Sequence, residues 1–327
     1  MEEQKRLFEL VKLRISKWHR LSDVIEELLG LSSDSVYRRI RGETELSFSE
    51  LKKICDKFNI SMDEVFENNH RQGVKFQYIP INSLDQESYI NHMQQMLYIL
   101  NALKPYPDKE IIYTARSIPF YHLVMCNELA YLNLYTWNNA LNRTKMSYDV
   151  FCNNLDKERI LSVYNQIKDA FMSIPSKEIW TVQTIGVTLR LLEYYFMTGV
   201  FVKKDTVLFL LNQLSELMDT VYQYAENGYK GYEQKIPFSM YNCSVDLDNN
   251  SMMAKKGNQL SLNIRLYMFH FIETNNEILC NATLKWNNYL IYKSSLISGE
   301  TSAKQRHRFF ESAKNKIEEL VNKIKKR

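Results

Sequence analysis

The chain has 327 residues, 45% hydrophobic and 24% charged, with 9 Gly and 6 Pro beside 21 Tyr, 16 Phe and 13 Met. That is a globular composition suited to long helices, and it excludes collagen-like, low-complexity and largely disordered chains. The net charge of +4 conceals its distribution: residues 1–70 hold 12 Lys and Arg against 14 Asp and Glu, residues 71–302 hold 21 of each, and residues 303–327 hold 9 against 3.

Residues 3–14 carry Leu7, Leu10 and Val11, with Ile15 a turn later, the spacing of an amphipathic helix. A second helix, Leu21 to Leu29, turns Val24, Ile25, Leu28 and Leu29 inward and ends at Gly30, which is free to take positive φ. Ser32 or Ser33 caps a third, Ser33 to Arg41, stopped by Gly42. Val36 and Ile40 stand four apart and must point into a core, which leaves Asp34, Tyr37, Arg38 and Arg41 outside. A fourth helix, Ser47 to Phe58, buries Leu51, Ile54, Cys55 and Phe58, and its Ser47 and Glu50 have the spacing of a capping box. The fifth spans one or two turns, Ser61 to Glu67.

Five short helices with a glycine turn between the second and third have the organisation of a helix-turn-helix module. The run Leu29-Gly30-Leu31-Ser32-Ser33-Asp34-Ser35-Val36-Tyr37-Arg38-Arg39-Ile40-Arg41-Gly42-Glu43 resembles the core of the phage-repressor (XRE-like) helix-turn-helix family. Leu51 to Ile54 and Phe58 to Phe66 are similar to that family's fourth and fifth helices. Two positions depart from the pattern: Glu26 replaces the usual small residue of the second helix, and Ser22 stands where Gln is common. The resemblance implies a sequence-specific transcriptional regulator whose third helix, about 33–41, lies in the major groove of double-stranded DNA. Carried over residue by residue, Ser32, Ser33, Asp34 and Arg38 occupy base-contact positions, and Tyr37 adds a further contact. Arg38 suits guanine; Asp34 suits cytosine N4 or the orientation of an arginine. Arg41, Thr44 and the backbone after Gly42 suit phosphates, which position without specifying. For Arg39 the alternative is an acid of its own domain.

The tetrapeptide His70-Arg71-Gln72-Gly73 reads as a linker, dividing the chain into domains 1–70 and 75–327. Helical spacing then covers 88–103, ended by Pro105 and Pro107, the stretch from Pro119 to about Leu141, and 155–172. Further helices run from Pro175-Ser176 to Met197, stopped by Gly199, and from a cap at Asp205 to near Gly228. From Lys235 to about Leu266 the period changes to two, and Phe238–Cys243, Ser251–Ala254 and Leu260–Ile264 suggest a small antiparallel meander. Helices resume at about Glu273 to Lys293 and Ala303 to Lys326. The expected fold class is therefore mostly α: a five-helix N-terminal domain and a large helical C-terminal domain with a small antiparallel β insertion near 235–266. Ser117–Phe120, Ile174–Trp180 and Lys293–Ser298 resemble a poorly characterised group of long bacterial regulators with the same N-terminal module.

The six histidines form no HExxH, the five cysteines no CxxC, and there is no P-loop, GxGxxG or GxSxG. No enzyme, metal or cofactor is expected. The longest strictly apolar runs, such as Val207 to Leu211, are about five residues, against about 20 for a membrane span. Met1 to Arg6 carries acids where a signal peptide wants basic residues, so a cytoplasmic protein without membrane contact is expected. A single module of this kind reads one half-site, so a homodimer is expected, with its interface in 71–302. The surplus of aromatic residues after the linker has two readings. One is a cavity in 110–300 for an unknown small-molecule or protein effector; the other is a solid core that holds the dimer. The other class of function is a non-enzymatic interaction scaffold whose N-terminal module binds protein, or nucleic acid nonspecifically.

Overall fold

The computed structural model describes residues 2–16, 19–66, 73–81, 86–142, 146–231 and 234–327. The chain divides into two compact units, Met1–Gly73 and Val74–Arg327. Of the expected linker, His70, Arg71 and Gln72 lie outside the described residues, as does Glu67 at the end of the fifth helix.

The first unit holds α1 (Glu2–Arg14), α2 (Leu21–Leu29), α3 (Ser33–Arg41), α4 (Phe48–Phe58) and α5 (Met62–Phe66). Leu7, Phe8 and Val11 of α1 close on Ile25, Val36 and Ile54, one from each of the next three helices, and all six are buried. Burying each such side chain contributes about 1.5–3 kcal/mol, whereas exposed pairs such as Lys12–Glu9 and Lys52–Asp56 contribute at most about 1 kcal/mol. The apolar core decides the stability of this unit. Its helices end where the sequence punctuates them: Gly30 and Gly42 take φ of 67° and 76°, and both arms of the Ser47–Glu50 capping box form. Ser32 is the N-cap of α3, but its side chain makes no cap bond.

The second unit begins with β1 (Gln77–Tyr78), α6 (Gln86–Asn101), β2 (Glu110–Ala115), α7 (Phe120–Leu123), α8 (Asn127–Asn142), α9 (Tyr148–Asn153), α10 (Lys157–Met172) and β3 (Ser176–Trp180). It continues with α11 (Gly186–Met197), α12 (Lys204–Asn227), β4 (Tyr229–Lys230), β5 (Ile236–Cys243), β6 (Ser251–Lys256), β7 (Gln259–Tyr267) and β8 (His270–Thr274). It ends with α13 (Glu277–Tyr292), β9 (Ser294–Leu296) and α14 (Ala303–Lys325). The strands form one nine-stranded sheet in the order β1-β8-β7-β6-β2-β3-β5-β4, with β9 beside β5. β2, β3 and β5 run parallel, joined by helical crossovers, and the remaining pairings are antiparallel.

This sheet corrects the expectation of a helical domain with a small antiparallel insertion near 235–266: among the described residues helix makes up 59% and strand 15%, gathered into one mixed sheet. The three stretches read as a meander are strands, but β5 does not pair with β6; β3 and β2 lie between them. The helix expected from Pro175-Ser176 to Met197 is β3 followed by α11 from Gly186. Asp205 is not a cap either; Lys203 holds that position and Asp205 lies in the first turn. The physical reason is burial of both faces. A strand such as Glu110-Ile-Ile-Tyr-Thr-Ala, covered above and below, shows no apolar–polar alternation.

Alternation across the pleat nevertheless sorts the two layers. Ile111, Tyr113, Ala115, Trp180, Phe238, Met240, Met252 and Ala254 face the large helical layer of α6 to α12 and α14. Ile112, Ile179, Cys243, Met253 and Leu262 face the other way, where α13 covers them with Cys280 and Leu290. On the helical side Glu178 is fully buried between polar partners. Its carboxylate lies 2.9–3.0 Å from His122 Nε2 and accepts from Trp180 Nε1 at 2.8 Å. Lys230 lies close by, its ammonium donating to Ser176 Oγ at 2.8 Å over the Phe171 ring.

Candidate nucleic-acid interface

The exposed face of α3 follows from its buried one. Val36 is fully buried and Ile40 half-buried. The same helix therefore presents Ser33, Asp34, Tyr37, Arg38 and Arg41 to solvent, with Ser32 at its cap. All six expected contacts on or beside α3 are brought to one surface; Thr44, in the loop behind it, is half-buried. Gly30 makes this possible. A side chain at Gly30 would meet nothing within 4 Å, so what the α2–α3 turn needs there is left-handed backbone, not space.

These residues differ in what already holds them. Ser33 Oγ donates to Glu26 Oε1 at 2.6 Å, so the acid that departs from the family pattern ties α2 to the start of α3. Tyr37 Oη donates to Ser22 Oγ at 3.4 Å, engaging the other departing position. Ser32 Oγ donates to Ser35 Oγ at 3.0 Å. Arg41 Nε is 3.1 Å from Glu43 Oε1, an exposed pair that a phosphate would have to displace. The Glu43 and Thr44 N–H groups both go to the Arg38 carbonyl, at 2.8 and 3.3 Å, so that stretch of backbone is occupied. Asp34 and the Arg38 guanidinium have no side-chain polar partner among the described residues. Arg38 lies in the last turn of α3, where the helix dipole favours a cation.

Arg39 points the other way. Its Nη2 is 3.0 Å from Glu50 Oε1 and its Nη1 donates to the Ser35 carbonyl at 3.2 Å, with both acid and base largely covered. Burial pushes the Glu50 carboxyl up, but donors from Ser47 and Arg39 outweigh it and hold the group below the usual carboxylate range. Arg39 is a structural residue that orients α4 against α3.

One contributor escaped the sequence reading. Gln4 of α1 reaches behind α3 and fastens the chain that leaves it: Nε2 donates to the carbonyls of Arg39 (2.6 Å) and Thr44 (2.8 Å), and Oε1 accepts from Leu46 N–H (3.0 Å). A polar residue on an amphipathic helix looks like any solvated position, so no pattern could have marked it.

Among the described residues no group of three or more His, Cys, Asp or Glu could hold a metal ion, and no helix is long and apolar enough to cross a membrane. No curated protein and no solved structure matches the chain. A family model does match the chain from residue 5 past Gly73, through β1 and most of α6, so its extent does not coincide with the boundary between the units. Residues 5–97 match the BetR domain, a DNA-binding family of helix-turn-helix type.

Proposed function

We propose that this protein is a non-enzymatic, sequence-specific transcriptional regulator of the XRE type. It works as a homodimer in the compartment that holds its DNA, with α3 in the major groove. The observation that carries this reading is the solvent face of α3, where Arg38 stands without a carboxylate partner among the described residues beside Asp34, Tyr37 and Arg41. A side chain with no protein partner at that position gives up only hydration and rotamer freedom on meeting a base edge, whereas Arg39 is already committed to Glu50. Support for a second copy comes from α13. Its outer face leaves Ile278, Trp286, Tyr289 and Tyr292 exposed at helical spacing, with Trp286 and Tyr289 stacked at 5.3 Å. Large apolar side chains left exposed along one helix face suit an interaction site.

The test is selection of bound sequences from a random DNA pool, with the mass of the purified complex measured alongside. A regulator of this kind selects a two-part site with half-sites about 34 Å apart and carries two chains per site. Arg38→Ala should then cost about 1–3 kcal/mol and relax preference at one base pair of each half-site. Selection of no consensus, or an unchanged consensus with Arg38→Ala, would refute the assignment.

A further inference from the structure

On the helical side of the sheet, past the carboxyl ends of β2 and β3, the second unit holds a cavity of about 320 Å³. Open sheets with parallel strands bind ligands at that end, where the loops leaving neighbouring strands diverge. The wall is built from Ser117 and Phe120 at the exit of β2, Thr188, Arg190 and Tyr194 of α11, and Arg265 of β7. A smaller space of about 50 Å³ shares Phe120, Arg265 and Phe269 with it and extends to Asn263.

The charge balance of this wall is one-sided. Arg265 is pinned: its guanidinium donates to Ser117 Oγ at 2.5 Å, Ser117 Oγ also accepts from Asn250 Nδ2 at 2.9 Å, and Asn250 Oδ1 accepts the Ser117 N–H at 3.0 Å. Yet no carboxylate among the described residues pairs with Arg265 or with Arg190. Burial pulls the Arg265 guanidinium down from its ordinary value. A half-buried cation without a counter-charge carries a desolvation cost that a bound anion would offset. Two positions away on the same strand and face, Asn263 is 6% exposed, and neither its amide oxygen nor its nitrogen has a partner among the described residues. Buried amides are nearly always hydrogen-bonded, so this one also points to an occupant.

We propose that this cavity binds a small organic anion, a carboxylate or a phosphate monoester, with its headgroup between Arg265 and Arg190 and its apolar body against Phe120 and Phe269. Asn263 offers the ligand a donor and an acceptor at the inner end. The volume lies at the small end of the roughly 300–1,000 Å³ of ligand pockets, room for a small metabolite and not for a peptide. Binding itself is independent of the DNA-reading proposal; a role as effector rests on it.

The test is calorimetric titration of the full chain with benzoate and with phenyl phosphate, and with benzamide and benzylamine as neutral and cationic counterparts of the same ring. We expect saturable binding of at least one anion at one site per chain, and none of benzamide or benzylamine. Which anion binds distinguishes the two headgroups. Arg265→Gln and Arg190→Gln should each weaken binding about tenfold or more, as loss of a charge-assisted contact does. Arg190 is exposed, so its variant keeps the test sound should the Arg265 variant fail to fold. The proposal is overturned if neither anion binds at millimolar concentration, if benzamide binds as well as the anions, or if Arg190→Gln leaves anion binding intact. A separate titration of the selected DNA with and without the bound anion reads the effector role. Unchanged DNA affinity would remove that role and leave the binding site standing.

Discussion

Replacing Gln4 by Ala removes three hydrogen bonds that hold the loop behind α3, to the carbonyls of Arg39 and Thr44 and from the Leu46 N–H. A bond of this kind contributes about 0.5–1.5 kcal/mol net, and Gln4 is half-buried, so water recovers part of the loss. The expected destabilisation of the 39–46 segment is about 2–3 kcal/mol, or roughly 30- to 150-fold faster amide exchange there. Hydrogen-exchange mass spectrometry on the full chain reads this directly, with α4 as the internal reference. Gln4→Glu sharpens the test. A carboxylate cannot donate to the Arg39 and Thr44 carbonyls but still accepts from Leu46, so protection should be lost at the loop and kept at the Leu46 amide. Unchanged exchange across 39–46 in both variants, or uniform acceleration through α1 to α4, would refute a local fastening role.

Glu43→Gln frees Arg41 from an exposed pair and removes a carboxylate that would repel phosphate. DNA affinity should rise by about 0.2–1 kcal/mol and the salt slope should steepen by roughly 0.9, read by anisotropy across a salt series; an unchanged slope counts against Arg41 as a phosphate contact. In the second unit, burial outweighs the attraction of Glu178 and lowers the Lys230 ammonium to about 7 from its ordinary 10.5. Between pH 7 and 9 the unfolded chain therefore holds more protons, and stability to urea should rise by up to about 1.4 kcal/mol per pH unit; below pH 7 both states are protonated and this contribution is flat. Above pH 9 the thiols of the half-buried Cys126 and Cys152 and of the buried Cys280, each raised by burial to about 11, reverse the trend. Lys230→Met should abolish the rise between pH 7 and 9, and a rise that persists in that variant would assign it elsewhere.

The first unit was legible because its signals are local. Gly30 and Gly42 end helices by backbone conformation alone, Ser47 and Glu50 satisfy each other three residues apart, and Val36 with Ile40 decides which side of α3 faces out. The sheet was not legible, because its evidence is non-local. Ser176, Lys177 and Glu178 read as the polar start of a helix; in the fold Ser176 meets Lys230 and Glu178 meets His122, partners 54 and 56 residues distant. Polar residues satisfied at such separation look solvated in the sequence, and β3 was lost among them. Tyr131, Tyr135 and Trp137 of α8 lie in the core. Tyr194 of α11 is exposed and stands at the cavity mouth. Arg265 was hidden for another reason: within an alternating strand it occupies what looks like an ordinary outward position.

The BetR match and the structural units part company at Gly73, and this bears on how such a chain is divided or inherited. Residues 74–97 carry β1, which hydrogen-bonds to β8 at the rim of the sheet, and most of α6, whose Tyr89, Met93 and His92 are buried against the second unit, His92 on the Phe269 carbonyl. A gene fusion that moved residues 1–97 onto another protein would carry an orphaned strand and an apolar helix stripped of their sheet. The piece left behind would lack a rim strand and expose a slot in its core. The segment that can be exchanged cleanly between proteins ends at Gly73, and the stretch beyond it travels with the second unit, whichever first unit is placed in front.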